Sequence, residues 1–410
     1  MADTTNNILK RQIDSIRYSF ENYPVIALIG ARQTGKTTIL KEFAKDQKVF
    51  DLERQIDFDL IERDAEFFLE NQSLPIFIDE AQLSERLFRA IRVFIDKNRS
   101  QNGQVVISGS SSPELLTHIT ESLAGRIAII EVNTLTIAEI EQNNISSFYI
   151  CLNNADTDNL KKLCLTKRNY LDLIWWGGYP EPLVRQNQEF KNDWSQNYIR
   201  SYIDRDIRRL YPDLQIEMYQ RFIKMLALSS GEIINFSEWA SALGVSEPTA
   251  KKYLSIAEGT FLFRRWPAYA FHPTKRLIKS PKGSLRDTGL LCALLRIEQP
   301  QDLFAHPKFG AIFESYVIEQ IIKSLQHQRY RFDFSFYRTK DQQEVDLVLE
   351  FSKHKIPIEI KVGKEIRSES LKSIKSFIAD FQSPFGCIIN NSENIQEIAP
   401  KVFQIPFEAI

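Results

Sequence analysis

Cysteine is scarce: Cys151, Cys164, Cys292 and Cys387 are the four in the chain, and no CxxC or other metal-ligand spacing links them. That excludes a cysteine-built metal cluster and predicts reduced, buried thiols in a cytosolic protein. An excess of either charge is also missing. Lys and Arg number 52 against 53 for Asp and Glu, a net charge of -1. No global field therefore draws the chain to nucleic acid, and any such contact must come from a local patch. The opening MADTTNNILKRQID has no apolar signal core, and no apolar run approaches a membrane span, which predicts a cytoplasmic protein without membrane contact. Internal repeats and low-complexity tracts are absent too. What remains is 410 residues, enough for two or three domains with separate cores.

The most informative stretch is Gly30-Ala31-Arg32-Gln33-Thr34-Gly35-Lys36-Thr37, which follows the apolar run Val25 to Ile29 and opens an apparent helix. Strand, glycine loop and helix in that order predict a phosphate-binding loop. The glycines let backbone N–H groups turn inward, Lys36 reaches the outer phosphates, and Thr37 holds Mg²⁺. ATP contacts are expected from Gly30 through Thr38. Further short apolar runs start at Val49, Ile76, Val105 and Ile127, with amphipathic segments between them. Five such strands predict a mostly parallel sheet covered on both faces.

Ile76-Phe77-Ile78-Asp79-Glu80 ends an apolar strand in paired carboxylates, where an open α/β sheet places its ligands. Asp79 is the expected Mg²⁺ partner, and Glu80 is suited to polarise the water that attacks the γ-phosphate. After the next strand, Ser110 either lies beside the γ-phosphate or belongs to a serine-rich turn that caps a helix near Pro113. Arg126 either faces the nucleotide of a neighbouring subunit in a homo-oligomer or forms a surface ion pair. In the first role an arginine accelerates phosphoryl transfer by roughly 10³ to 10⁵.

GARQTGKTT, FDLE, FIDEAQ, SGSSSPELL, ESLAGR and GGYPEP, in this order, resemble the AAA-type P-loop ATPases of bacteria and archaea that carry a C-terminal domain of unknown function. The resemblance covers nearly the whole chain. It implies an ATP site with Gly35, Lys36, Thr37, Asp79 and Glu80 in the roles above.

The later chain divides further. Residues 1–142 form the expected P-loop domain, and the polar, Asn-rich stretch 143–159 reads as a surface connection. Residues 160–215 read as a helical lid. Within 216–295, Asn235 to Ala240 and Ser246 to Leu254 flank a glycine turn, the pattern of a helix-turn-helix with a winged-helix ribbon after it. Lys251, Lys252, Arg264, Arg265, Lys275 and Arg276 supply a basic, aromatic patch, and one acid, Glu258, lies between Lys251 and Arg286. Such a patch binds DNA, or the unit serves as a lid or protein-docking surface.

Residues 305–410 show Glu314 on an amphipathic helix, Asp346 on a strand and Glu359-Ile360-Lys361 on the next strand. Alternation sends Glu359 and Lys361 to one face, so both can converge on Asp346. This resembles the PD-(D/E)xK nuclease fold, with Glu344-Val345-Asp346 in place of its lead proline. The resemblance implies a divalent metal held by the carboxylates; the alternative is a nuclease-derived scaffold without cleavage. The expected fold class is α/β: an AAA+-like P-loop sheet with helical lid, winged-helix domain and C-terminal restriction-endonuclease-like domain. The expected activity is Mg²⁺-dependent ATP hydrolysis coupled to DNA binding or remodelling. The alternatives are an ATP-dependent switch that recruits a protein partner and an ATP-gated nuclease.

Overall fold

The computed structural model describes residues 15–110, 122–269, 280–339 and 343–410. They fall into two compact units. The first comprises Met1–Leu135 with Tyr179–Val184 and Ser255–Leu262; the second comprises Thr136–Gly178, Arg185–Leu254 and Phe263–Ile410.

In the first unit, β1 (Val25–Gly30), β2 (Val49–Asp51), β3 (Ile76–Asp79), β4 (Val105–Ser110) and β5 (Ile127–Glu131) form one sheet in the order β2-β3-β4-β1-β5. Every neighbouring pair is parallel. β1 is buried at all six positions, as a parallel strand covered on both faces must be. Its residues alternate between two cores. Val25, Ala27 and Ile29 face one that contains Ile91 and Ile107, whereas Ile26 and Leu28 face another with Ile39 and Leu40. Ile39 and Leu40 come from α1 (Lys36–Ala44), and Ile91 comes from α2 (Glu85–Lys97). α2 starts where Ser84 accepts the Leu87 N–H, and it turns Leu87, Ile91, Phe94 and Ile95 inward at helical spacing. Full burial of each such side chain is worth about 1.5–3 kcal/mol.

The second unit opens with a correction. The Asn-rich stretch expected to be a surface connection contains α3 (Ser147–Asn154), whose Phe148, Tyr149, Cys151 and Leu152 are buried. Its polar residues flank an apolar face and disguise it. Then follow α4 (Tyr170–Trp176), α5 (Gln188–Ser201), α6 (Ile216–Leu228), α7 (Phe236–Leu243) and α8 (Glu247–Gly259). α7 ends in left-handed Gly244, and the Ser246 hydroxyl accepts the Thr249 N–H at the start of α8. Phe222, Trp239 and Tyr253 pack edge to face between α6, α7 and α8. An antiparallel ribbon, β6 (Phe263–Trp266) with β7 (Lys282–Leu285), comes next.

The last part contains α9 (Phe309–His327), β8 (Asp333–Arg338), β9 (Glu344–Glu350), β10 (Lys355–Ile360), α10 (Ser368–Phe381), β11 (Gly386–Asn390), β12 (Gln396–Ala399) and β13 (Val402–Pro406). The six strands order as β12-β13-β11-β10-β9-β8, with β10, β11 and β13 mutually parallel and the others antiparallel. The sequence points to two of these strands, those that carry Asp346 and Glu359. β11 and β13 are buried at every position, so they lack the period of two that marks a half-exposed strand. The chain just after β6 continues this sheet locally: Ala268 bridges Phe336 of β8, and Phe336 N–H donates to Pro267 O at 3.0 Å.

Cys151, Cys292 and Cys387 are buried as expected, but Cys164 is exposed. Among the described residues no helix is long and apolar enough to cross a membrane.

Candidate functional sites

The loop between β1 and α1 is shaped by two glycines. A Cβ on Gly30 would lie 2.3 Å from the Val132 carbonyl oxygen, and Gly35 takes a left-handed φ of +95°. Gly35 occupies the N-cap of α1 without a side-chain bond, so no side chain there takes up the first N–H donors of the helix. Such a helix start is an anion site by geometry and dipole. Lys36 is 5 % exposed, and its ammonium donates to Gly30 O at 3.0 Å and Ala31 O at 2.6 Å. Thr34 donates to Ala31 O, whereas Arg32 pairs with Glu53 at 3.2 Å. Thr37 is half-buried; Gln33 and Thr38 are exposed.

Because β3 lies beside β4, and β4 beside β1, their C-terminal ends bring the remaining groups together. Gly30 pairs in register with Ser110. Asp79 is 3 % exposed; its Oδ1 accepts from the Ser108 hydroxyl and, at 3.1 Å, from the Glu80 N–H. Glu80 adopts a left-handed φ of 52°. That sparsely populated conformation in a non-glycine residue marks a strained position, and such strain gathers at functional sites. The carboxylate of Glu80 accepts from Ser110 at 3.0 Å and from the Gln82 amide, which also lies 3.1 Å from Ser110. Ser110 thus faces Glu80; the residues of the capping alternative, 111–121, lie outside the described ones. Gln82 was missed as a site residue, although its motif FIDEAQ was legible.

Arg126 donates to both oxygens of Asp96, at 2.8 and 3.0 Å, and to Ala124 O at 3.1 Å. This pair holds the Asp96 carboxyl below its ordinary range.

In the second unit, the four polar residues read from 305–410 do converge. Lys361 lies 3.1 Å from Asp346 and 2.8 Å from Glu359. Asp346 also accepts the Ile360 N–H at 2.8 Å, and Glu359 accepts the Ser370 hydroxyl at 2.9 Å. A fifth residue joins them from the ribbon: Lys282 of β7 contacts Glu314 at 3.4 Å and also Glu344. Burial and then the Asp346 charge push Glu314 up to about 8 and Glu359 up to about 7. Burial opposes the charge on Lys282 and Lys361, yet the carboxylates around them hold both ammonium groups above the usual lysine value.

The metal expected here does not fit. Lys361 already sits against one oxygen each of Asp346 and Glu359, which also accept the Ile360 N–H and the Ser370 hydroxyl, and Glu314 meets the Lys282 ammonium. Among the described residues no group of three or more His, Cys, Asp or Glu is placed to hold a metal ion.

One member of the expected DNA patch, Arg264, turns inward together with two neighbouring cations. Arg264 is buried against Glu319 at 2.6 Å, Arg286 lies 3.9 Å from the same carboxylate, and Lys282 points to Glu314. The stretch holds one acid in sequence, but α9 and β9 supply Glu314, Glu319 and Glu344. Lys251, Lys252 and Arg265 are exposed, with Lys251 3.9 Å from Glu247. Lys275 and Arg276 lie outside the described residues.

The first unit has a parallel sheet with a glycine loop between its first strand and α1, and residues 22–141 match the family model described as "AAA domain". Residues 167–301 and 309–410 match two further models, each described as a domain of unknown function. The uncharacterized protein Rv2008c of Mycobacterium tuberculosis is 29% identical over 398 residues, 96% of this chain and 82% of that protein. Mb2031c of Mycobacterium bovis matches with the same figures of 29%, 96% and 82%. Among solved structures, the Walker-type ATPase PABY2304 of Pyrococcus abyssi is 15% identical with a TM-score of 0.41, over 70% of this chain and 95% of that one. The RuvB Holliday junction branch migration motor of Thermotoga maritima is 16% identical with a TM-score of 0.30, over 64% of this chain and 90% of that one.

Proposed function

We propose that the first unit binds and hydrolyses ATP with Mg²⁺. The observation that carries this reading is the convergence at one sheet edge of the open α1 start, Lys36, and the Glu80 carboxylate held by Ser110 and Gln82. Phosphate oxygens outbid neutral carbonyls for Lys36, because charge-assisted hydrogen bonds are the stronger ones. Loop N–H groups from Ala31 to Thr38 orient the phosphates. Thr37 and Asp79 hold Mg²⁺, which supplies positive charge to the phosphate oxygens when bound. Glu80 orients the attacking water and accepts its proton. A neighbouring subunit's nucleotide would have to compete with Asp96 for Arg126, so a trans role in an oligomer requires that pair to open.

Of the outputs set out above, the ATP-dependent switch that recruits a protein partner is favoured over a DNA motor. The reason is that Arg264, Lys282 and Arg286 face acids of the same unit. DNA contact rests on Lys251, Lys252 and Arg265, with Lys275 and Arg276 outside the described residues. Phosphate release from ATP, measured with Mg²⁺ and with or without DNA across a salt series, tests both statements. The expected result is Mg²⁺-dependent turnover, lost in Lys36→Ala and not stimulated by DNA. Wild-type turnover in Lys36→Ala would overturn the site, and strong salt-sensitive stimulation would restore the motor reading.

A further inference from the structure

The acidic centre in the second unit is filled by the protein's own cations. Lys282 is 6 % exposed and reaches Glu314 and Glu344 from β7, while Lys361 spans Asp346 and Glu359 from the end of β10. Each ammonium meets one oxygen on each of two carboxylates. One buried oxygen is left over: Glu359 Oε2 has no hydrogen-bond partner, although Glu359 is 4 % exposed. A carboxylate oxygen buried without a partner is costly, in keeping with the rise of Glu359 to about 7 by burial.

We propose that Lys282 is a built-in cation that closes this centre to divalent metals, so that a metal and the β6–β7 ribbon compete for one place. A divalent ion with oxygen ligands needs six or more of them at about 2.0–2.6 Å, and the Lys282 ammonium, 3.4 Å from Glu314, stands where such an ion would approach that carboxylate. A second cation beside Lys282 in a buried site meets strong repulsion. The lysine has little room to swing aside: it is 6 % exposed, its ammonium lies 5.5 Å from the Phe336 ring centroid, and its backbone is held in the ribbon. Lys282 pairs in register with fully buried Trp266 of β6 and also bridges Ile233. Metal uptake therefore requires the ribbon to withdraw. Solvent reaches the centre on the side of Glu344 and Lys361, whose side chains are 29% and 36% exposed.

Mn²⁺ titration of the full chain, followed by the loss of the free-ion electron paramagnetic resonance signal, tests this exclusion. All variants carry Lys36→Ala and Asp79→Asn and are assayed without nucleotide, so that the first unit adds no Mn²⁺ site. In that background the chain with Lys282 intact is expected to bind no Mn²⁺ below millimolar concentration. Lys282→Met is expected to bind it more tightly by roughly one to three orders of magnitude. The gain is expected to vanish when Asp346→Asn is added, and the exposed control Lys252→Met is expected to match the background. Equal binding with and without Lys282, or a folded Lys282→Met chain that binds no Mn²⁺, overturns the proposal. If Lys282→Met and Lys282→Gln both fail to fold, circular dichroism after refolding with Mn²⁺ becomes the readout. Recovery of the native spectrum supports the replacement of one cation by another, and its absence rejects it.

Discussion

The Ser110 hydroxyl donates to Glu80 Oε2 across 3.0 Å, and so ties the end of β4 to the residue that follows β3. Gln82 approaches the same oxygen from the turn after Glu80. Glu80→Gln is expected to lower kcat for ATP by about 10² to 10⁴, the range of a lost general base. Ser110→Ala and Gln82→Ala leave the carboxylate in place but unaimed. Each is expected to lower kcat by about tenfold with little change in KM, since they act on the orientation of the base rather than on nucleotide binding. Steady-state phosphate release checks this, and a change confined to KM would remove both residues from the reaction.

Arg264 separates a structural role from a DNA-binding one. It is a buried partner of Glu319, with side chains 11% and 4% exposed. Arg264→Ala is expected to destabilise the second unit by about 1.5–3 kcal/mol, because it removes a charged hydrogen bond from a buried carboxylate that keeps only the more distant Arg286 as a cation partner. The double change Arg264→Met with Glu319→Leu is expected to recover most of that loss. Urea denaturation of both variants gives the answer. Unchanged stability in Arg264→Ala would mean that the pair is of no consequence to the fold.

Lys191 gives a pH signature. It is fully buried with its ammonium 3.9 Å from the Trp175 ring centroid, and burial lowers it from 10.5 to about 8. Between those values the unfolded chain binds the extra proton, so this residue makes stability rise as pH climbs from about 8 towards 10. The rise is on the order of 3 kcal/mol at about 1.4 kcal/mol per pH unit. Denaturation midpoints of wild type and Lys191→Met, compared from pH 7 to 10, are expected to diverge in slope within that window. Parallel curves would show that the ammonium is not desolvated.

Thiol labelling reports on the four cysteines. Burial pushes Cys151 up to about 11 and Cys292 up to about 12, and raises Cys387 further. Cys164 alone among them is exposed. A thiolate-selective reagent is expected to label one cysteine in the native protein and four after unfolding. More than one fast-reacting thiol in native protein would contradict the packing around α3 and β11.

The first unit was legible almost entirely, because strands buried on both faces write continuous apolar runs and a phosphate loop is local in sequence. Asp79 and Glu80 were readable from the strand they end. What escaped was contact across long separations. Arg264 meets Glu319, and Lys282 meets Glu314, only after α9 packs beside the ribbon; in sequence the same cations look like an outward basic patch. Ser110 was visible but its partner was not, since adjacency of β3 and β4 is a property of the sheet order. α3 was hidden because asparagines at its ends outweighed four buried residues.

The bond between Phe336 and the Pro267 to Tyr269 segment has a consequence for how the last hundred residues can be handled. β8 is the terminal strand of its sheet, and that segment covers part of its open side. A fragment cut at residue 305 would carry all six strands but lose this cover. It would present a bare row of backbone donors and acceptors, a template on which copies stack edge to edge. The ribbon's continuation is thus a guard against self-assembly, and a fragment meant to be soluble has to include it.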